Sequence, residues 1–267
     1  MSDNSNTDQL RLRVFAGPNG SGKSTIIQSV KNTIINDRKI DLGIYINADD
    51  IAELLRNNKF SFAPYQISVT KKEFIRFAEL SGLLTPEFSK ALLQKHFNLK
   101  GKDILFPTAK LHEQLAQLIA RFLRECMLNE KKRFSFETVF SHPSNLDIMQ
   151  RAIDTGYKVY LYFVSTESPE INKYRVKLRV LQKGHDVPED KIESRYYRSL
   201  ALLYDAAEIA YQAFFFDNSS HDQPFKLVNH FKKIEGKKNW DTTRVKHFTI
   251  WFKNYYWKKK QFVSKKR

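Results

Sequence analysis

The chain has 267 residues, of which 28% are charged and 42% hydrophobic, and its net charge at pH 7 is +16. This length allows one large domain or two small ones, with a core large enough to need no covalent cross-links. The single cysteine, Cys126, excludes an intramolecular disulfide. The sequence shows no secretory leader pattern and no apolar run long enough to span a membrane. We therefore expect a protein of a reducing, aqueous compartment, most simply the cytoplasm.

The positive charge is concentrated at one end of the sequence. Residues 226–267 contain 14 lysines and arginines against two acidic residues, whereas residues 1–225 contain 31 basic and 27 acidic ones. A polar N-terminus at 1–9 is predicted to be disordered. We therefore divide the chain into that N-terminus, a folded domain at 10–225 and a basic, aromatic extension at 226–267.

Apolar segments alternate with helical patterns along the chain, which is typical of a parallel sheet covered by helices on both faces. Strand patterns lie at 10–16, 43–48, 133–140, 157–164 and 214–216. Helical patterns lie at 24–35, from 51 onward, and at 111–128, 144–155, 169–183 and 189–211. We predict an α/β fold with a mostly parallel five-stranded sheet flanked by helices and a helical insertion at about 57–110. Ligands of such sheets bind at the carboxyl ends of the strands.

The first strand pattern leads into GPNGSGKS at 17–24, which matches the P-loop consensus G-x-x-x-x-G-K-[ST] in full. In this motif, backbone N–H groups at a helix N-terminus surround a phosphate, and the lysine reaches the β- and γ-phosphates. Lys23 is predicted to bind ATP or GTP, and the Ser24 hydroxyl to bind Mg²⁺. The predicted nucleotide-binding residues are Gly17, Asn19, Gly20, Ser21, Gly22, Lys23, Ser24 and Thr25. The strand–loop–helix context favours the fold of P-loop NTPases and kinases over an accidental match.

Phosphoryl transfer also needs a base that orients the acceptor hydroxyl. Asp49, at the carboxyl end of the second predicted strand, is the candidate base and Asp50 the second choice. The alternative is that Asp49 only caps the helix that follows. Glu137 ends the third strand in an otherwise apolar segment. With Asp50 and Thr138 it is predicted to contact the acceptor or to orient a Mg²⁺-bound water, and an ordinary ion pair is the alternative.

Arginines on two predicted helices, joined by a Gly/Pro loop at 184–188, fit a lid over the γ-phosphate. Arg175 and Arg179 share a helix face at a spacing of four residues, and Arg195 and Arg198 do so at three. A planar guanidinium group spreads its charge over several phosphate oxygens. Arg179 and Arg195 are the catalytic candidates, although any one of these arginines could instead lie on a solvated helix face.

Together these motifs resemble the zeta-toxin family of P-loop kinases, including its chromosomal, UDP-N-acetylglucosamine kinase-like branch. The matching segments, within residues 10–220, are AGPNGSGKST at 16–25, NADDIA at 47–52, FET at 136–138, GHDVPE at 184–189 with Arg195–Tyr196, and FDNS at 216–219. The resemblance implies transfer of the γ-phosphate of ATP or GTP to a sugar hydroxyl of a UDP-N-acetylhexosamine. It implies that Lys23 and Ser24 bind nucleotide and Mg²⁺, that Asp49 is the base, and that Glu137 lies on the substrate side.

The resemblance also has consequences for the lid and for partners. Arg179 stands at the position of the family's first lid arginine, whereas His185 stands where the toxins have the second. Arg195 or Arg198 could take over that role. Because the family includes toxins that are controlled by antitoxins, the resemblance suggests an antitoxin protein as a partner.

The basic extension and the function each leave alternatives open. Aromatic and apolar residues of the extension recur at helical spacing between lysines: Val245, Phe248, Trp251, Phe252 and Tyr255. This helix could pack on the folded domain, bind nucleic acid, or bind an anionic membrane. The predicted function is phosphoryl transfer to a small metabolite, with a UDP-amino sugar as the leading acceptor. The alternatives are a polynucleotide 5′-hydroxyl kinase and a nucleotide-dependent switch without a phosphoacceptor.

Overall fold

A computed structural model of the chain describes residues 9–107, 109–182, 186–220, 225–241 and 249–265. The chain divides into two compact units, the first formed by Met1–Gly43 and Glu137–Arg267 and the second by Ile44–Phe136. Of the predicted disordered N-terminus, only Gln9 lies within the described residues, and its side chain donates a hydrogen bond to the O of Gly156. Among the described residues, no helix is both long enough and apolar enough to span a bilayer.

The structure confirms the α/β class and contains all five predicted strands. The strands are β1 (Arg11–Ala16), β2 (Ile34–Ile35), β3 (Arg38–Lys39), β4 (Ile44–Ile46), β5 (Asn98–Lys100), β6 (Asp103–Leu105), β7 (Phe134–Thr138), β8 (Lys158–Ser165), β9 (Gln212–Asp217), β10 (Lys226–Ile234) and β11 (Lys237–Trp240). The α-helices are α1 (Lys23–Asn32), α2 (Ala48–Arg56), α3 (Lys71–Leu80), α4 (Lys90–His96), α5 (His112–Asn129), α6 (Ser144–Asp154), α7 (Pro169–Leu181), α8 (Glu189–Ala201), α9 (Leu203–Ile209), α10 (Ile250–Phe252) and α11 (Lys258–Lys265).

Five strands of the first unit pair in the order β11-β10-β9-β8-β1. β1 is parallel to β8, with Ala16 opposite Phe163, and β8 is parallel to β9, with Tyr160 opposite Gln212. Most residues of β1 and β8 are buried, because their apolar runs suit parallel strands that are covered on both faces. The carboxyl ends of these three parallel strands therefore meet at one edge of the sheet, where the P-loop begins.

The prediction of a five-stranded sheet is wrong in number, because the main sheet has seven strands. The two further strands, β10 and β11, are antiparallel and come from the segment predicted to be a basic extension. In β10, Val228 and Phe231 are buried while Lys226 and Lys232 are exposed. An antiparallel strand can keep one face in water, so lysines alternate with core residues without breaking the strand.

The second unit combines two parallel strands with helices. β4 pairs with β7, with Ile44 opposite Phe134, and α2 packs on the amphipathic α5. Phe74 and Phe122 form an edge-to-face pair, with ring centroids 5.3 Å apart, in an aromatic cluster of the core. The predicted helical insertion at 57–110 contains α3 and α4, and it also contains the β5–β6 hairpin.

Two predicted helices differ from those observed. The segment predicted as one helix at 189–211 is two helices, α8 and α9, which meet at Leu202. The first predicted helix ends at Asn32 instead of residue 35, because Ile34–Ile35 pairs as β2 with β3. No glycine or proline marks the end of α1 or the break between α8 and α9, so the local sequence does not indicate where these helices end.

The end of the chain packs aromatic side chains on the first unit. Trp251, Phe252 and Tyr256 are buried, and the ring centroid of Phe252 lies 4.9 Å from that of Phe215 on β9. The turn Lys253–Trp257 between α10 and α11 is π-helical. In this segment Tyr256 is buried, whereas Tyr255, which the helical spacing assigned to the aromatic face, is only half-buried. These contacts match the interpretation in which the extension packs on the folded domain.

Lysines of the extension contact acidic side chains of α9. The Nζ of Lys238 pairs with Glu208, and the Nζ of Lys259 lies 3.0 Å from a carboxylate oxygen of Asp205. The Lys259 side chain is 39% exposed, whereas that of Lys238 is 13% exposed. A partly exposed pair such as Lys259–Asp205 contributes about 0–1 kcal/mol. Two residues assigned to the aromatic face lie outside the described residues: Val245 and Phe248.

Cys126 on α5 is expected to react slowly. Burial and the nearby carboxylates of Glu130 and Glu125 raise the pKa of its thiol to about 12. Because the thiolate is the nucleophile, native protein at neutral pH should be alkylated by iodoacetamide on the order of 50-fold more slowly than the unfolded chain. Intact-mass spectrometry of native and urea-unfolded protein measures both rates. Equal rates would identify Cys126 as a reactive thiol instead of a packing residue.

Candidate active site

The P-loop connects β1 to α1 and depends on its glycines. Gly20 and Gly22 have φ values of 73° and 91°, in the left-handed region that glycine adopts without steric cost. A Cβ at Gly20 would lie 2.7 Å from the O of Asn172, and one at Gly22 would lie 2.1 Å from the Nδ2 of Asn218. Both backbone conformation and space therefore require glycine at these two positions.

Lys23 is held inside the loop at the start of α1. Its side chain is 7% exposed, and its Nζ donates a hydrogen bond of 3.0 Å to the O of Pro18. The same Nζ lies 3.7 Å from Oε1 of Glu137. Ser24 and Thr25 follow in the first turn of the helix and are exposed. The predicted nucleotide-binding residues thus form one continuous loop and helix start.

Glu137 and Thr138 end β7. The structure brings Glu137 to the P-loop lysine, and its side chain is 14% exposed. Thr138 lies beside it along the chain, and its Oγ1 accepts the N–H of Phe140 at 3.1 Å. The carboxylate offsets the charge of a nearly buried lysine, which would be costly to bury unpaired. Glu137 therefore does form an ion pair, as one interpretation of the sequence holds, and its partner is the P-loop lysine.

The loop residues fit a phosphate group and a Mg²⁺ ion. Among the residues that the structure describes, the buried Oδ1 of Asn19 and Oγ of Ser21 have no hydrogen-bond partner. An unsatisfied buried polar atom costs about 1–3 kcal/mol, which a ligand or water can recover. The first turn of α1, all of it described, has no acidic side chain and no side-chain cap, so no side chain competes with an anion for the N–H groups at its start. The exposed Ser24 hydroxyl suits Mg²⁺, which prefers oxygen ligands.

Two asparagines that sequence reasoning missed hold the P-loop from outside. The Nδ2 of Asn172 on α7 donates to the O of Asn19 at 2.6 Å, and the Nδ2 of Asn218 donates to the O of Ser21 at 2.9 Å. The amide oxygen of Asn172 in turn accepts from the Thr166 hydroxyl. Asn218 lies in the FDNS segment that contributed to the family resemblance, whereas Asn172 had no signal in the sequence.

The predicted lid arginines lie on α7 and α8 in different environments. Arg175 donates to the O of Asn218 at 2.6 Å and to the O of Ser220 at 3.1 Å. Burial lowers the pKa of Arg175, and the charge of Asp217 opposes this effect. Of the other predicted lid arginines, Arg179 and Arg195 are partly buried and Arg198 is exposed. His185 and Gly184 lie outside the described residues.

Asp49 and Asp50 belong to the second unit, in the first turn of α2. This helix begins at Ala48, and the side chain of Asn47 accepts the N–H of Asp49 at 2.9 Å. The interpretation of Asp49 as the cap of the helix is therefore wrong, since Asn47 is the N-cap. Both carboxylates are exposed.

Comparisons with known proteins show similarity of fold. No protein-family model matches the chain. An uncharacterized protein of Haemophilus influenzae is 35% identical over 63 residues, which are 24% of this chain and 45% of that protein. The chain is similar to the crystal structure of AvrRxo1-ORF1:AvrRxo1-ORF2 with sulphate ions, with a TM-score of 0.51 and 14% identity, covering 90% of this chain and 63% of that one. This likeness indicates a shared fold, although the chain spans less than two thirds of either protein.

A further similar structure comes from the PezAT chromosomal toxin–antitoxin system of Streptococcus pneumoniae. Its TM-score is 0.48 and its sequence is 11% identical, with 99% of this chain and 88% of that chain covered.

Replacing Gly22 with alanine is expected to destabilise the protein by about 1–3 kcal/mol more than replacing Gly156. Gly156 has a φ of 90°, almost that of Gly22, but a Cβ there would meet nothing within 4 Å. The two variants share the backbone strain, so their difference measures the displacement of the Asn218 amide. Urea unfolding gives both free energies, and equal values would show that Asn218 moves aside at no cost.

Proposed function

We propose that the chain is an ATP- and Mg²⁺-dependent phosphotransferase of the zeta-toxin type, with a UDP-N-acetyl amino sugar as the leading acceptor. The observation that carries this proposal is the P-loop site, in which Lys23 is held between Pro18 and Glu137 beside buried polar atoms suited to a ligand. The five motif segments support a kinase over other P-loop proteins. The likeness to AvrRxo1-ORF1:AvrRxo1-ORF2 supports the fold and not the acceptor.

The P-loop residues would bind the phosphates of ATP. The N–H groups at the start of α1 and the Ser21 hydroxyl would donate to phosphate oxygens, and the Ser24 hydroxyl would ligate Mg²⁺. When bound, Mg²⁺ supplies charge neutralisation and orients the phosphate oxygens. In the free site, Glu137 offsets the charge of Lys23, so the lysine can be preorganised in a nearly buried position without an unpaired charge.

The acceptor hydroxyl would attack the γ-phosphorus while the bond to the bridging oxygen of ADP breaks. Asp49 would take the proton of that hydroxyl, a role open to an exposed carboxylate in the first turn of α2. The guanidinium groups of Arg179 and Arg195 would offset the negative charge on the transferred group, with Arg198 as the alternative to Arg195. Arg175 instead holds the turn after β9, through the carbonyl oxygens that it contacts.

A search for the phosphorylated product tests this function. Purified protein, Mg²⁺ and ATP are incubated with UDP-N-acetylglucosamine, and in parallel with DNA and RNA oligonucleotides that carry a 5′-hydroxyl group. We expect mass spectrometry to find the UDP-sugar with one added phosphate, and far less of this product with Lys23→Ala. A phosphorylated oligonucleotide would support the polynucleotide kinase, and ATP hydrolysis without a phosphorylated acceptor would support the switch. An antitoxin partner stays a prediction of the resemblance.

A further inference from the structure

A polar turn after β9 is fixed by several hydrogen bonds within the first unit. The Ser219 hydroxyl donates to Oδ1 of Asp217 at 2.8 Å, and Oδ2 of Asp217 accepts the Ser219 N–H at 3.2 Å. The Ser219 hydroxyl also accepts the N–H of Glu167, which follows β8, at 2.8 Å. Asn218 lies in the middle of this turn and donates to the O of Ser21 in the P-loop. The position of the turn therefore helps to set the position of the loop.

The helical segment formed by α10 and α11 is attached to the same turn. The indole Nε1 of Trp251 donates to Oδ1 of Asp217 at 2.9 Å. The Glu167 carboxylate accepts the backbone N–H groups of Ile250 at 2.9 Å and of Trp251 at 3.3 Å, at the start of the segment. Trp251 is 1% exposed, and its ring centroid lies 6.1 Å from that of Phe163 on β8. Hydrogen bonds to carboxylates are stronger than neutral ones, so the segment is tied firmly to the turn.

We propose that this C-terminal helical segment positions the P-loop for nucleotide, with Trp251 and Glu167 as positioning residues. Trp251 holds Asp217, Asp217 fixes the turn through Ser219, and Asn218 in that turn holds the O of Ser21. The indole N–H thus acts on the phosphate loop through the three residues of the turn, Asp217, Asn218 and Ser219. The inference rests on the proposed function only in taking the P-loop to be a nucleotide site.

The size of the effect follows from the other tethers of the turn. Arg175 also donates to the O of Asn218, so loss of the indole bond loosens the turn without freeing it. By linkage, a segment that improves nucleotide binding must itself be stabilised by nucleotide to the same extent. ATP should therefore slow hydrogen exchange of the Ile250 and Trp251 amides, which are bonded to Glu167.

The test compares two variants of the same segment. Trp251→Phe keeps a buried ring and removes the indole N–H. We expect it to raise the Kd for ATP about tenfold, the effect of one hydrogen bond to a charged group, and to speed amide exchange at residues 17–22 of the free protein. The control is Tyr256→Phe, which removes a buried hydroxyl that contacts Lys238 instead of the turn. The control should leave both quantities unchanged, and in turnover assays Trp251→Phe should raise KM for ATP more than it lowers kcat.

Glu167→Gln, outside the segment, is a further test variant, and it should act in the same direction as Trp251→Phe, because it weakens the bonds to Ile250 and Trp251. The proposal is overturned if folded Trp251→Phe and Glu167→Gln keep wild-type exchange at residues 17–22, or if Tyr256→Phe speeds that exchange equally. If exchange quickens in the two variants but wild type binds no ATP, the positioning link is supported and the proposed function fails.

Discussion

Replacing Lys23 with alanine is expected to lower kcat/KM for phosphoryl transfer by about 10²–10³-fold, the usual effect of removing one preorganised donor from a charged transition state. Lys23 is nearly buried, its Nζ is already held by the O of Pro18, and Glu137 lies 3.7 Å away. The ammonium group is thus in place before nucleotide arrives, so little reorganisation is needed. Mass spectrometry measures product formation and calorimetry measures ATP affinity. Together they separate the contribution of Lys23 to phosphoryl transfer from its contribution to ATP binding.

The matched control is Lys31→Ala in the last turn of the same helix. Lys31 is exposed, and its removal changes the net charge by the same amount without touching the loop. We expect this variant to keep wild-type activity. Wild-type kcat/KM in folded Lys23→Ala would contradict a phosphate-binding role for Lys23, and equal losses in both variants would point to a general charge effect.

Sequence reasoning worked where the information is local. The P-loop is defined by eight consecutive residues, and the alternation of the preceding strand and the helical pattern after it lie within a few residues of the motif. The N-terminus of α1 is therefore fixed by neighbours in the chain. The same holds for the other four predicted strands, whose short apolar runs mark them in the sequence.

Contacts between distant parts of the chain could not be predicted in this way. Asn172 and Asn218 hold the P-loop across sequence separations of 153 and 197 residues. A single asparagine has no spacing pattern that distinguishes it from a turn residue. The use of Arg175 as a tether for a turn is also a tertiary property, because its sequence context fits a lid arginine equally well.

The basic extension shows how composition can hide structure. β10 and β11 contain five lysines between them, and this charge is typical of a solvated segment as much as of strands that have buried and exposed residues. An antiparallel strand with one face in water normally alternates apolar and polar residues, but β10 has a register shift between Leu227 and Asn229 that interrupts this alternation. The burial of Trp251 depends on a hydrogen bond to Asp217, which no helical periodicity predicts.

The Asp49→Asn variant is expected to lower kcat by about 10²–10⁴-fold while leaving the Kd for ATP nearly unchanged, as removal of a general base does. Asparagine preserves the size of the side chain and loses the ability to accept a proton. Because Asn47 and not Asp49 caps α2, the substitution leaves the helix N-terminus intact. Single-turnover phosphorylation of the acceptor, beside calorimetric titration with ATP, measures the two quantities.

Asp50→Asn is the matched control, because both carboxylates are exposed in the same turn of α2. The two substitutions remove the same charge from the same helix dipole, so a difference between them reports the position of the carboxylate and not the local field. If Asp50→Asn is the inactive variant, the base is Asp50. If both variants keep wild-type kcat, the acceptor proton leaves by another route, and the assignment of α2 to the catalytic site fails even if Lys23 proves essential.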